Sequence, residues 1–373
     1  MSAAFVRELR EITLPLVTPF RTSFGTQTTR RVLLLRAEAE HDGAVVDGWG
    51  ECVASDEPTY SAEYVDGAAL VISTQLVPRL HRDGPVSATA VASTLAPVKG
   101  HPMAKAALEM AVLDAELRAE GRAFAEFLGA TRTRVPSGVS VGIHGSISEL
   151  LAAVEGYLAD GYVRIKLKIE PGWDLEPVAA VRRLIGPDVP LQVDANTAYR
   201  RDDIDHLCRL DEFDLLLIEQ PLPEDDLVGH AHLAHAAATP VCLDESITSV
   251  TVASDAIELG ACEIVNIKPG RVGGYLEARR IHDLCRELGV PVWCGGMLET
   301  GIGRAANAAL AALDGFTLTG DISAARRFWA RDIVRHPIDV VDGHVAVPAG
   351  PGFGCEIDHE FLDSVTTSVT PLG

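Results

Sequence analysis

The chain is short of positive charge: 32 Lys and Arg stand against 53 Asp and Glu, a formal net charge of -21 at pH 7 over 373 residues. Such a surface repels phosphate backbones and anionic bilayers, so nucleic acid and membranes are excluded as partners. A small acidic substrate is not, because a metal ion or a local cluster of lysines reverses the potential inside a cleft. Paired cysteine spacing is missing too. The seven cysteines are odd in number and none stands in a CxxC pair, so neither a disulfide framework nor a zinc site is indicated, and free thiols in a reducing compartment are the simpler reading. No run approaches ~18 uninterrupted apolar residues. The opening MSAAFVRELREITLPL lacks a basic start followed by an apolar core, so no secretory leader is expected and the expected location is cytoplasmic.

The length is too great for one core of ordinary size and suggests two domains or a large barrel with an elaboration. Residues 1–130 read as a small α+β domain. Strand text (VRELREITLPL, RVLLLRAEAE, VVDGWGECVA) is broken by a polar stretch FRTSFGTQTTR, expected as a loop, and by an HDG turn. Helical text then follows, with Met103, Ala107, Met110 and Leu113 on one stripe of HPMAKAALEMAVLDAELRAEG. Over residues 131–322 the pattern changes to eight short apolar runs, each followed by a helix-like segment: VPSGVSVGI, VRIKLKI, PLQVDAN, DLLLIEQP, TPVCLDES, CEIVNIKPG, VPVWCGG and GFTLTGDI. That alternation is the signature of a parallel α/β barrel of the TIM type. Residues 323–373 return to strand and turn text, expected to pack back on the first domain.

Polar residues recur where each apolar run ends. From Lys168 through Asp194, Glu219 and Asp244 to Lys268 the steps are 26, 25, 25 and 24 residues, so each holds the same place in successive βα units. In such a barrel that place is the C-terminal mouth, where chemistry occurs. Parity agrees, since Lys166 and Lys168 alternate with apolar neighbours and point inward. Three converging carboxylates repel one another unless a cation lies between them. An oxygen-only donor set favours a hard ion, Mg²⁺ with Mn²⁺ as a substitute, over zinc. Lys168 is the expected base, made usable by Lys166, a neighbouring cation that lowers its pKa and helps bind an anionic group. The ion would hold a substrate carboxylate while the α-proton is removed, the pattern described for lysine bases with Mg²⁺ in enolase-type enzymes.

KLKIEPGWD, VDAN, IEQPL, LDES, NIKPGRVGG and CGGMLETGIGRA together resemble the enolase superfamily in its muconate-lactonising subgroup, and within it the o-succinylbenzoate synthase and N-acylamino acid racemase family, over nearly the whole chain. The resemblance implies an α+β cap over a (β/α)7β barrel, with Mg²⁺ held by Asp194, Glu219 and Asp244. It implies that Lys168 takes the α-proton of a cyclohexadiene carboxylate and protonates the departing hydroxyl, giving o-succinylbenzoate for menaquinone synthesis, while Lys268 steadies the enediolate. In racemisation of an N-succinylamino acid the two lysines would work on opposite faces. Arg271 resembles the arginine of racemase-capable members; Ser140, Asn196, Gly296, Met297 and Glu299 resemble substrate contacts; and the stretch from Phe20 to Thr28, with Phe24, would close over the site. Glu245 is expected to order a lysine. A homo-oligomer is expected by analogy.

VWCGG has no histidine and GDISA no paired aspartates, which disfavours mandelate-racemase-like and dipeptide-epimerase relatives. N-acylamino acid racemisation as the main role, muconate cycloisomerase and a non-catalytic metal-binding barrel remain as alternatives, the last weakened by bases on both faces. Taken singly, KxK is usually a solvated strand edge and DES a helix cap; the joint spacing is what departs from those bland readings.

Overall fold

In the computed structural model, which describes residues 3–372, the first domain is built on three antiparallel strands, Ala4–Thr22, Gly25–His41 and Ala44–Cys52. Ala4, Val6, Leu9, Ile12 and Leu14 are all buried although the spacing slips from two residues to three. The register shift at Val6/Glu8 inserts one extra residue before Leu9; from Leu9 to Ile12 the pairing with Gly25–His41 is unshifted, so the buried positions there pass from one face of the strand to the other. FRTSFGTQTTR is not a loop: Phe20 pairs with Gln27, Arg21 with Thr26 and Thr22 with Gly25, a hairpin projecting beyond the sheet. A projecting hairpin has no core face, so no apolar alternation marks it.

The helix Pro102–Ala119 departs from the expected single stripe, being buried on nearly every side. It lies directly on the strand Ala44–Cys52. A Cβ on Gly48 would stand 2.1 Å from the Ala115 nitrogen and one on Gly50 2.1 Å from the Ala107 carbonyl, so DGWGE is glycine-rich because a helix backbone occupies the space of its side chains.

The second domain is a curled sheet of seven parallel strands in sequential order: Gly138–Val141, Arg164–Lys168, Leu191–Asp194, Ile218–Glu219, Val241–Leu243, Ile264–Ile267 and Val292–Cys294. Prolines open the runs for a reason visible in the ladder. The carbonyls of Pro190, Pro240 and Pro291 accept the N–H groups of Ile165, Ile218 and Val265, so a residue without a donor serves as the first rung. The eighth run forms bridges rather than a strand: Phe316 pairs with Val292 and Gly320 with Ser137, which closes the barrel. VPSGVSVGI is split at Pro136, its first half Arg134–Pro136 pairing with His344–Ala346 outside the barrel. Outward-facing Ile165, Leu167, Val193, Val241, Leu243, Val265 and Ile267 are buried, each side chain contributing roughly 2 kcal/mol of transfer free energy. The tail divides. Val340–Val341 and His344–Ala346 form a hairpin on Arg134–Pro136, while Thr366–Pro371 pairs with Ala4–Thr22 as the fourth strand of the first domain's sheet. No helix among the described residues is long and apolar enough to cross a membrane.

Candidate active site

Ladder register brings the strand ends together: Lys168 pairs with Asp194 and Asp194 with Glu219, while Asp244 and Lys268 directly follow the strands Val241–Leu243 and Ile264–Ile267. The chain turns sharply just beyond, with Asn196, Thr197 and Gln220 at φ of 42°, 65° and 37°, positive values that cost a non-glycine residue energy and cluster at functional sites. All five charged residues are buried.

The burial is matched by ion pairing. Lys168 Nζ donates to Asp194 Oδ2 at 2.6 Å and to Asn196 Oδ1 at 2.7 Å. Lys268 Nζ donates to Asp244 Oδ2 at 2.7 Å and to the Tyr60 hydroxyl at 3.0 Å. Lys166, the expected neighbouring cation, is bracketed by Asp321 at 2.5 Å, Glu219 at 2.9 Å and Asp194 at 3.2 Å. Burial opposes its charge, but Asp321, Glu219 and Asp194 outweigh that and hold its pKa above the ordinary lysine value. Its Nζ also lies 4.7 Å from the centroid of the buried Trp293 ring.

The carboxylates divide. Burial raises the pKa of Asp194 and Asp244, yet Lys168 and Lys166 in the first case, and Arg271 and Lys268 in the second, hold both below the usual range. Glu219 is pushed well above it by burial and by the Asp194 charge, despite Lys166. Glu245 is pushed up to about 8 by burial and Asp244. Among the described residues no three His, Cys, Asp or Glu side chains stand together as a ready cage for a metal, because each acid is turned onto a cation. The donor set nonetheless fits a divalent ion. Asp194, Glu219 and Asp244 offer only oxygen from neighbouring strand ends, and the high proton affinity of Glu219 marks a site with too little positive charge for all its acids to ionise.

A cavity of about 490 Å³ is lined by Lys168, Lys268, Asn196, Phe24, Gly296 and Met297, with Asp194 and Asp244 behind the two lysines that they hold. Ser140 borders an adjoining lobe with Lys166, its buried hydroxyl oxygen unpartnered. Two expected contacts, Arg271 and Glu299, lie outside the cavity lining, and Glu245 acts through an amide. Arg271 is folded onto Asp244 and the Ile247 carbonyl behind the cavity wall. Glu299 accepts from Asn307 at 2.9 Å on the barrel helix Gly301–Ala311. Glu245 accepts from Asn196 Nδ2 at 2.9 Å, so it orders Lys168 through that amide and not by direct contact.

Asp321, Asn266 and Tyr60 complete the network without having been singled out in the sequence. Asp321 receives Arg164 at 2.7 Å as well as Lys166, and Asn266 donates to Glu219 Oε1 at 2.7 Å. Both had a signal: Asp321 ends the eighth apolar run, and Asn266 stands two before Lys268 as Lys166 stands two before Lys168. Tyr60 had none. The hairpin tip reaches the barrel, where Ser23 Oγ donates to the carbonyls of Ala195 and Asn196 at 3.1 and 3.2 Å.

Residues 7–129 match the mandelate racemase / muconate lactonizing enzyme N-terminal domain, and residues 149–361 match the enolase C-terminal domain-like family. The N-succinylamino acid racemase of an Amycolatopsis species is 60% identical over 366 residues, 98% of each chain. The o-succinylbenzoate synthase of Geobacillus kaustophilus is 46% identical over 358 residues, 96% of this chain and 94% of that one. A solved enolase-superfamily member from Listeria innocua superposes with a TM-score of 0.94 at 39% identity, covering 100% of this chain and 99% of that one.

Proposed function

The chain belongs to the mandelate racemase / muconate lactonizing enzyme family of the enolase superfamily, and from that premise we propose that it is an o-succinylbenzoate synthase that also racemises N-succinylamino acids. The observation that carries this reading is the pair Lys168 and Lys268, from the second and sixth barrel strands, bordering one cavity. A binding module has no use for an ammonium group on each side of its ligand; a proton-transfer enzyme has.

Enzymes of this superfamily generally use a divalent metal, and Mg²⁺, replaceable by Mn²⁺, is the ion the oxygen donors Asp194, Glu219 and Asp244 favour. When bound it supplies positive charge to the substrate carboxylate, which makes the adjacent carbon a stronger acid. Lys168, as the amine, takes the α-proton. In the dehydration it returns that proton to the leaving hydroxyl, so that water departs and the ring becomes aromatic. In racemisation Lys268, as the ammonium ion, delivers a proton to the opposite face, and the roles reverse for the other enantiomer. Asn196, held by Glu245, fixes the Lys168 ammonium group between two acceptors.

The test is dehydration of 2-succinyl-6-hydroxy-2,4-cyclohexadiene-1-carboxylate with Mg²⁺, followed by ultraviolet absorbance, beside α-proton exchange of an N-succinylamino acid in D₂O. Wild-type turnover in both is expected. Exchange without dehydration would leave racemisation as the main role, the reading favoured by the Amycolatopsis relative. A cytoplasmic location belongs to the same proposal, supported by seven free cysteines. So does a symmetric homo-oligomer, supported by the exposed edge strand Thr366–Pro371 and checked by sedimentation.

A further inference from the structure

The cavity has two ends, and the lysine pair sits where they meet: Lys168, Lys268, Phe20, Gly296 and Leu298 border both. One end is walled by Phe24, Tyr60 and Met297. The other, about 440 Å³, is walled by Ser140, Arg304, Arg327 and Phe328, and its charges do not balance. Lys166, Lys168, Lys268, Arg164 and Arg271 each rest on a carboxylate. Arg304 and Arg327 have no carboxylate within salt-bridge distance among the described residues. Arg304 is buried and spends its donors on the Glu299 and Ser323 carbonyls; those of Arg327 go to the Ser140 carbonyl and, at 3.4 Å, to the Tyr157 hydroxyl.

Arg327 is nevertheless held in place. Its guanidinium carbon lies 4.5 Å from the ring centroid of Phe328, 5.2 Å from that of Tyr157 and 5.6 Å from that of Phe20. Aromatic faces orient a guanidinium without neutralising it. Arg327 also borders an outer groove with Phe20, Tyr157 and Phe328, so it stands at the partition between that groove and the lysine pair. A fixed planar donor with no counter-charge, facing a cavity, matches a carboxylate supplied from outside.

The two substrate types differ at the reacting carbon, one a cyclohexadiene and the other an amino acid. They share a four-carbon arm, attached through a ketone or an amide and ending in a carboxylate. We propose that Arg327 is the specificity-determining residue that binds this terminal carboxylate, so that one anchor serves both reactions and acyl groups ending in an anion are selected over neutral ones. The inference rests on the synthase and racemase reading for the identity of the arm.

The test is calorimetric binding of N-succinylglycine and N-acetylglycine, in the presence of Mg²⁺, to wild type, Arg327→Gln and Arg327→Lys. Wild type is expected to bind the succinyl compound roughly 10- to 100-fold more tightly, the range of a charged hydrogen bond. Arg327→Gln should lose that preference while its affinity for N-acetylglycine stays within about twofold, and Arg327→Lys should keep part of it. A wild type without preference, or an Arg327→Gln variant that weakens both compounds alike by displacing Ser140, would overturn the assignment. Turnover is read separately: a succinyl preference lost in Arg327→Gln, with no α-proton exchange in wild type, would sink the catalytic reading and leave the anion site standing.

Discussion

Two regions of this molecule bury carboxylates, and they satisfy them by opposite means. In the cap and at its junction with the barrel the partners are mainly backbone amides. Asp114 accepts from the N–H groups of Trp49 and Phe353 and from Arg118; Glu63 accepts from Met103 and Ala104; Glu51 accepts from Thr300 and Gly303. In the barrel mouth the partners are mainly ammonium and guanidinium groups at the ends of long side chains, joined by the amides of Asn196 and Asn266. A backbone donor cannot leave without unfolding something, so the first set ties chain segments together. A lysine can release its acid when another cation arrives and can carry a proton elsewhere, so the second set can be rearranged by a metal and a substrate.

Substitutions on the two sides should therefore fail differently. Lys168→Ala is expected to lower both turnover rates by at least ~10³-fold, as loss of a general base does, with unchanged circular dichroism; retained activity would mean that another group takes the proton. Glu219→Gln should weaken Mg²⁺ binding by at least ~100-fold in a calorimetric titration, and an unaltered affinity would remove Glu219 from the donor set.

On the other side, Asp114→Asn leaves one oxygen where three donors converged and should cost about 3 kcal/mol in urea unfolding, with kcat of the folded protein within about twofold of wild type. A catalytic defect larger than the stability defect would erase the distinction. An effect of similar size, but spread over pH, lies with Glu51, pushed from 4.5 to about 7 by burial and by Glu299, against its hydrogen bonds to Thr300 and Gly303. A carboxyl whose folded pKa is raised keeps its proton longer in the folded state. Its contribution is therefore greatest below the unfolded value, declines as pH rises from about 4.5 to about 7, and is flat above. The full excursion is on the order of 3 kcal/mol. Glu51→Gln should lack that decline, and parallel stability curves from pH 5 to 8 would show that Glu51 does not titrate in this way.

What was legible in the sequence follows from the same contrast. The barrel mouth repeats, so Lys168, Asp194, Glu219, Asp244 and Lys268 announce themselves by spacing even though the strand Ile218–Glu219 is only two residues long. Contacts between distant segments carry no period. Nothing local says that the hairpin at Ser23 reaches Ala195, that Tyr60 meets Lys268, or that Arg271 and Glu299 turn away from the cavity onto Asp244 and Asn307. The helix Pro102–Ala119 was readable as a helix but not as one buried all round, because its second face is covered by a barrel that begins after it in the chain. Arg327 lies past the last βα unit in a segment of no periodicity, and its role depends on three rings contributed from the hairpin, a barrel helix and its own neighbour.

The strand Thr366–Pro371 completes the cap sheet beside Ala4–Thr22, with Thr367 donating to the Glu11 carbonyl 356 residues away. On a ribosome the order of events follows from that distance. The first strand to emerge has one edge paired with Gly25–His41 and the other bare while the whole barrel is still being made, for tens of seconds at the usual pace of ~5–20 residues per second. During that interval the cap is a template for any extended segment nearby, including the cap of a neighbouring nascent chain. In the barrel the wait is shorter: its strands pair in order, and only the first of them waits, until Gly320 reaches Ser137. The longest exposure of an unpaired edge during synthesis thus falls on the strand that is made first.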